Sequence, residues 1–190
     1  MGKGGAGLRV VAGSLRGRVL GPIPPGVRPT SDRVRESVFG RLGELDGQRV
    51  LDLFAGTGAL GIEAISRGAE GLVAVDRARR SVSAIEKNLE QLGVASVAKV
   101  MREDARRAVR RLAEDGEVFD LVLMDPPYAE TDEAPGVLEA LVTCDILDPA
   151  AVVVVEGSKR HSLSRVPGLV LESTREYGDT VVYWFGRESE

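Results

Sequence analysis

The sequence predicts an α/β fold in which a parallel β-sheet, covered by helices on both faces, ends in an antiparallel hairpin. From Arg49 onward, apolar runs of strand length alternate with segments of helical periodicity. These runs are nearly continuous in Val and Leu, as is typical of strands buried on both faces. The last two runs leave no room for a helix between them, so they are expected to pair antiparallel.

A basic N-terminal arm is predicted at residues 1–28, ahead of the main domain at residues 29–190. Two short apolar runs, 8–12 and 18–20, flank a segment containing two glycines, which predicts a β-hairpin. The hairpin would present two arginines near its tip, Arg16 and Arg18. Paired prolines then exclude a helix from the linker at 21–26.

The first helix is predicted to open within residues 28–35. Thr30, Ser31 or Asp32 can cap it, because their side-chain oxygens accept hydrogen bonds from the first turn. Apolar residues recur at helical spacing and give the helix one buried face: Val34, Val38, Phe39 and Leu42. The arginines left for other surfaces are Arg28, Arg33, Arg35 and Arg41.

The remaining elements follow in alternation. The predicted strands of the parallel part are 50–54, 71–75, 97–101, 119–124 and 151–156. The predicted helices are 59–66, 80–92, 104–113 and 134–142. The antiparallel pair is expected at 169–175 and 180–185. We find no internal repeat and expect one compact domain with its arm.

Charge is distributed unevenly along the chain. The net charge is −4, yet residues 1–49 carry a balance of +5 and residues 50–190 one of −9. A basic arm on an acidic body fits a catalytic domain that recruits a polyanion at one end. A solvated tail is the alternative.

Composition excludes several classes of site. Cys144 is the only cysteine and His161 the only histidine, so an internal disulfide and a multi-cysteine metal site are impossible, and no metal is expected. No apolar run approaches the roughly 20 residues needed to span a bilayer. The N-terminus lacks a signal-peptide pattern. We therefore expect a cytoplasmic monomer.

A glycine motif, Gly56-x-Gly58-x-x-Gly61, follows the first strand of the alternating region and opens a helix, the context required of a nucleotide-binding fingerprint. Asp76, 15 residues after Gly61, ends the next strand. Its carboxylate can accept hydrogen bonds from ribose hydroxyls. These features suit NAD and S-adenosylmethionine equally.

Three observations favour S-adenosylmethionine. Asp52, just before the glycines, would repel a pyrophosphate but attract a sulfonium. Asp104 follows the third strand and can accept from an adenine amino group. No second domain with a catalytic histidine remains for hydride transfer. As alternatives, Asp104 is a plain helix N-cap and Asp52 a partner of the helix dipole.

A second motif, Asp125-Pro126-Pro127-Tyr128, closes the fourth strand. Ligands of open α/β sheets bind at the carboxyl ends of strands, where the strand order reverses. An exocyclic base nitrogen is a poor nucleophile, so acceptors for both of its protons would assist attack. Asp125 and the rigid Pro126 carbonyl supply them, and Tyr128 can stack on the base. A simple turn after a strand is the alternative.

At this point the sequence resembles the bacterial 16S ribosomal RNA guanine-N2 methyltransferases of the RsmD type. The segments that carry the resemblance are 28–36 (RPTSDRVRE), 51–61 (LDLFAGTGALG), 66–69 (SRGA), 125–128 (DPPY) and 177–180 (YGDT). The glycine and Asp-Pro-Pro-Tyr motifs are shared by many amino-methyltransferases. The arginine-rich opening of the first helix is more specific.

The resemblance implies a seven-stranded, Rossmann-like class I methyltransferase fold, S-adenosylmethionine as donor, and methylation of guanine N2 in 16S ribosomal RNA or an assembling small subunit. The cofactor residues it implies are Asp52, Phe54, Gly56, Gly58, Asp76 and Asp104. The residues implied for the target base are Asp125, Pro126, Pro127 and Tyr128. The basic residues expected to contact RNA are Arg16, Arg18, Arg28, Arg33 and Arg35.

Other functions stay open from the sequence. The same four-residue motif would serve a DNA or protein amino-methyltransferase. A nicotinamide oxidoreductase is disfavoured by Asp52 and by the antiparallel tail. A non-catalytic RNA-binding module is disfavoured by the intact Asp-Pro-Pro-Tyr motif.

Overall fold

The computed structural model describes residues 8–27, 29–126, 133–160, 163 and 165–188. In these residues seven strands form one sheet. The strands are β1 (Arg49–Leu53), β2 (Gly71–Asp76), β3 (Ala98–Arg102), β4 (Phe119–Met124), β5 (Leu147–Ser158), β6 (Leu169–Tyr177) and β7 (Thr180–Arg187). The helices are α1 (Asp32–Leu42), α2 (Ala59–Ser66), α3 (Arg79–Leu92), α4 (Ala105–Glu114) and α5 (Glu133–Thr143).

The strand order is β3-β2-β1-β4-β5-β7-β6. The first five strands are parallel, and β7 pairs antiparallel with both β5 and β6. The predicted parallel sheet with an antiparallel hairpin is therefore confirmed. The order reverses between β1 and β4, so their carboxyl ends form the crevice where ligands of such sheets bind.

Two apolar cores lie on opposite faces of the sheet. On one face α4 and α5 pack, burying Val109 and Leu138 among others. On the other face α1, α2 and α3 pack, burying Phe39, Ile62 and Ile85. Double coverage explains the unbroken Val and Leu runs, since both faces of each central strand are removed from water. No helix among the described residues has the length and apolarity to cross a bilayer.

The N-terminal segment does not form the predicted hairpin of two strands. It contains one isolated antiparallel bridge, between Arg9 and Val19. Its backbone is instead fastened to α2, because Glu63 accepts hydrogen bonds from Val11 N at 2.7 Å and Ala12 N at 2.9 Å. Glu63 is fully buried, so these contacts hold the segment against the main domain. Backbone hydrogen bonds on either side of the bridge, from Val10 N to Arg18 O at 3.0 Å and from Leu20 N to Leu8 O at 2.8 Å, are the remainder of the predicted pairing.

Local signals place α1. Ser31 is its N-cap, and the Ser31 side chain accepts from Val34 N at 3.3 Å. The helix ends at Leu42, and Gly43 is its C-cap, with a positive φ of 75° that glycine readily adopts. Of the three predicted capping residues, Ser31 takes the role, which leaves the neighbouring Thr30 hydroxyl for another acceptor.

Candidate active site

A cleft of about 580 Å³ opens at the carboxyl ends of β1, β2 and β4. This is within the usual range for small-ligand sites. Its walls are the loop after β1, the residues after β2, the start of α4, the end of β4 and the linker before α1. The structure thus brings Gly56 of the first sequence motif and Asp125 and Pro126 of the second to one cavity.

The loop after β1 turns sharply into α2. Phe54, Gly56 and Gly58 all have positive φ, at 62°, 57° and 75°, and all but Phe54 avoid strain by lacking a Cβ. A Cβ on Gly61 would lie 2.7 Å from the Leu72 side chain. The motif glycines therefore permit the turn and the close packing of α2 on β2, while Phe54 and Gly56 line the cleft.

Asp52 lies fully buried on β1 at the base of the cleft. Its Oδ2 accepts from Gly61 N, in the first turn of α2, at 2.9 Å. Burial raises the pKa of Asp52 to about 7 against the lowering effect of the Gly61 hydrogen bond, and the charges of Asp125 and Asp76 add to the rise. Asp52 is thus a partner of the α2 N-terminus, the alternative interpretation of this residue.

Asp76 and Asp104 line the same cleft. Asp76 accepts from Gly56 N at 2.9 Å and from Ala78 N at 2.8 Å, so it ties the glycine loop to the end of β2. Asp104 caps α4 by accepting from Arg107 N at 3.2 Å. The N-cap interpretation of Asp104 is confirmed.

Asp125 follows β4 and receives a hydrogen bond that the sequence analysis missed. The Thr30 hydroxyl, 95 residues away in the chain, donates to Asp125 Oδ2 at 2.8 Å. Thr30 is only 6% exposed, so the contact is shielded from water. The signal that could have suggested it is the choice of Ser31 as cap, which frees Thr30. Pro126 lines the cleft, whereas Pro127 and Tyr128 lie outside the described residues.

The predicted RNA-contacting arginines are divided by the structure. Arg16, Arg18 and Arg33 are exposed. Arg28 lies outside the described residues. Arg35 is fully buried; its guanidinium donates to Arg9 O at 2.8 Å and pairs with Asp32 at 2.5 Å.

The prediction that Arg35 contacts RNA is therefore corrected, because a phosphate cannot reach a side chain with no accessible surface. Arg35 instead holds the N-terminal segment against α1. Among the described residues, no cluster of three or more His, Cys, Asp and Glu side chains is arranged to hold a metal ion.

Comparison with known proteins gives a consistent set of relatives. A family described as conserved hypothetical protein 95 matches residues 8–186. Ribosomal RNA small subunit methyltransferase D of Escherichia coli K12 is 37% identical over 172 residues, which are 86% of this chain and 81% of that protein. The candidate rRNA methyltransferase YlbH of Bacillus subtilis is 38% identical over 182 residues, 92% of this chain and 96% of that protein.

Solved structures agree. The candidate methyltransferase YhhF from Escherichia coli has a TM-score of 0.83 at 33% identity, over 96% of this chain and 99% of that chain. SMU.776, a methyltransferase candidate complexed with SAH, has a TM-score of 0.65 at 16% identity, over 80% of this chain and 48% of that chain. At that identity the likeness shows the shared class I methyltransferase fold.

Proposed function

The chain belongs to the family described as conserved hypothetical protein 95, and we propose that it transfers a methyl group from S-adenosylmethionine to guanine N2 in 16S ribosomal RNA. The observation that carries the proposal is the joint lining of one cleft. The glycine loop and Asp76 stand at one side, and Asp125, fixed by Thr30, stands at the other. The rRNA substrate is supported by the names of the relatives in Escherichia coli and Bacillus subtilis.

The residues of the cleft fit the proposed cofactor. Asp52 Oδ1 is buried and has no hydrogen-bond partner, an arrangement that suits a ligand carrying positive charge. A cation placed there would favour the ionised form of a carboxyl whose pKa is about 7. Asp76 would hold the ribose and Asp104 the adenine amino group, while Phe54, Gly56 and Gly58 shape the loop. When bound, S-adenosylmethionine supplies an electrophilic methyl group on a sulfonium.

The chain's own part in the reaction is to hold and orient the acceptor amine. Asp125 accepts one amine proton as a hydrogen bond, and the Pro126 carbonyl accepts the other. These acceptors draw the nitrogen lone pair out of conjugation, and Asp125 can take the proton that the amine finally loses. Thr30 fixes one oxygen of the Asp125 carboxylate, so the group is oriented before the base arrives. Tyr128 would stack on the base.

The exposed arginines of the N-terminal segment and α1 are proposed to position the RNA backbone. Arg16, Arg18 and Arg33 present positive charge outside an otherwise acidic body, and we include Arg28 from its place between them. A guanine unstacked from single-stranded RNA would then enter the cleft, since a base within a helix cannot reach its floor.

The proposal is tested by methyl transfer from labelled S-adenosylmethionine to naked 16S rRNA and to small subunits, followed by nucleoside analysis. Asp125→Asn should keep cofactor affinity within about twofold and lower kcat by roughly 100-fold or more. Asp120→Asn, at the opposite end of β4, is the matched control. Transfer of label only to DNA or only to protein would contradict the proposal that RNA is the substrate. Unchanged turnover in Asp125→Asn would contradict the catalytic role of Asp125.

A further inference from the structure

The sheet divides its carboxyl rim into two halves. The cleft residues proposed for the cofactor follow β1, β2 and β3, which occupy one half of the strand order. Asp125 follows β4, and beyond it come β5 and β7. Side chains at the rim of β5 and β7 are therefore on the acceptor side of Asp125, where the target base must extend.

Glu156 occupies this position on β5. Met124 pairs with Val155 in the parallel ladder, so the next residues, Asp125 and Glu156, come side by side. They share a face, because side chains alternate along a strand and Leu123 and Val154 both point into the core under α1. Neighbouring strands are about 4.8 Å apart, so the backbones of Asp125 and Glu156 are neighbours at this rim.

Thr30 is a neighbour of both acids. It lines the main cleft, and it also lines a small recess of about 10 Å³ together with Glu156. Glu156 is partly exposed, and its Oε1 accepts from the Thr180 hydroxyl at 3.4 Å. Thr180 begins β7 at the same rim. Glu156 is thus supported on its outer side and adjacent to Asp125 on its inner side.

The chemistry of guanine matches this pair of acceptors. The N2 amine and the N1–H stand next to each other on the Watson–Crick edge, and both are donors. In adenine the amine instead neighbours an N1 lone pair, which a carboxylate would repel. A second carboxylate, next to the one that holds the amine, therefore favours guanine over adenine, because it accepts a hydrogen bond from N1–H.

We propose that Glu156 is a specificity-determining residue that accepts a hydrogen bond from guanine N1–H while Asp125 holds the N2 amine. This inference rests on the proposed function and adds to it the means by which the base is recognised. It assigns the β5 rim, beyond the two sequence motifs, to the reading of the base.

The test uses RNA in which the target guanine, once mapped, is replaced by 2-aminopurine. That base keeps the 2-amino group but presents an N1 lone pair in place of N1–H. The ratio of kcat/KM for guanine RNA to that for 2-aminopurine RNA is measured for the wild-type protein, for Glu156→Gln and for Glu176→Gln. Glu176 is an exposed acid on β6 paired with Lys159 and serves as the control.

Glu156→Gln should lower this ratio about tenfold or more, because an amide can donate to the N1 lone pair. Glu176→Gln should leave the ratio unchanged, and S-adenosylmethionine affinity should match wild type in both variants. The comparison between variants cancels the different reactivity of the two amines, and a structural defect would lower both rates alike.

An equal ratio in wild type and Glu156→Gln overturns the inference while leaving the proposed function intact. If Glu156→Gln does not fold, Glu156→Ala is measured, and a ratio equal to wild type there overturns the inference in the same way. If the wild-type protein methylates no guanine N2 in any RNA, the proposed function fails and the role of Glu156 fails with it.

Discussion

The buried carboxyl of Asp52 predicts a specific pH dependence of stability. Its pKa is about 7 in the folded protein against 3.8 as the reference value. The folded state therefore holds this proton over a range in which the unfolded chain has released it, so the free energy of unfolding falls as pH rises from about 4 to 7. The full difference corresponds to about 4 kcal/mol, of which about 3 kcal/mol develops between pH 5 and pH 8.

Asp52→Asn removes this titration while keeping an oxygen that can accept from Gly61 N. We expect the variant to gain about 3 kcal/mol of stability relative to wild type between pH 5 and pH 8. Urea unfolding of both proteins across that range measures the difference, and Asp179→Asn, at the exposed turn before β7, is the matched control. A stability difference that does not change with pH would refute a raised pKa at this site.

Thr30→Val should lower kcat about tenfold with unchanged cofactor affinity, since it removes the hydrogen bond that orients Asp125; Thr30→Ser should restore kcat, and equal kcat values in steady-state assays would contradict the orienting role. Glu63→Ala should cost about 2–4 kcal/mol in urea unfolding, because two backbone N–H groups lose a buried acceptor, and a cost below about 1 kcal/mol would mean that water replaces it. Replacing Arg16 and Arg33 with Ala should make the log-log salt slope of RNA binding shallower by about 1.4, and an unchanged slope in filter binding would remove both from the RNA surface.

Much of the fold could be predicted because its signals are local. Continuous apolar runs separated by helical periodicity located the strands of the sheet, and the short connection at Gly178 and Asp179 required an antiparallel end. The strand boundaries differ from the predicted ones by at most one residue in β1 to β3 and are identical in β4. β5 is longer than predicted, at Leu147–Ser158 against 151–156, because its first residues are less apolar than its centre.

The contacts between distant segments could not be predicted in the same way. The hydroxyl of Thr30 donates to Asp125, 95 residues away in the chain. No local pattern around either residue predicts that the two side chains meet. In the sequence Arg35 cannot be told apart from the exposed arginines near it. Its position on α1 nevertheless places its side chain beneath the N-terminal segment, where it donates to Arg9 O. Glu63 is a further case, because it accepts from the backbone N–H groups of Val11 and Ala12, which lie about 50 residues earlier in the chain.

The most direct measurement is mass spectrometry of small-subunit ribosomal RNA from cells that lack this protein. We expect one N2-methylguanosine to disappear from 16S rRNA, to return with the wild-type gene, and to stay absent with the Asp125→Asn gene. An unchanged N2-methylguanosine content in all three strains would contradict the proposed methyl transfer.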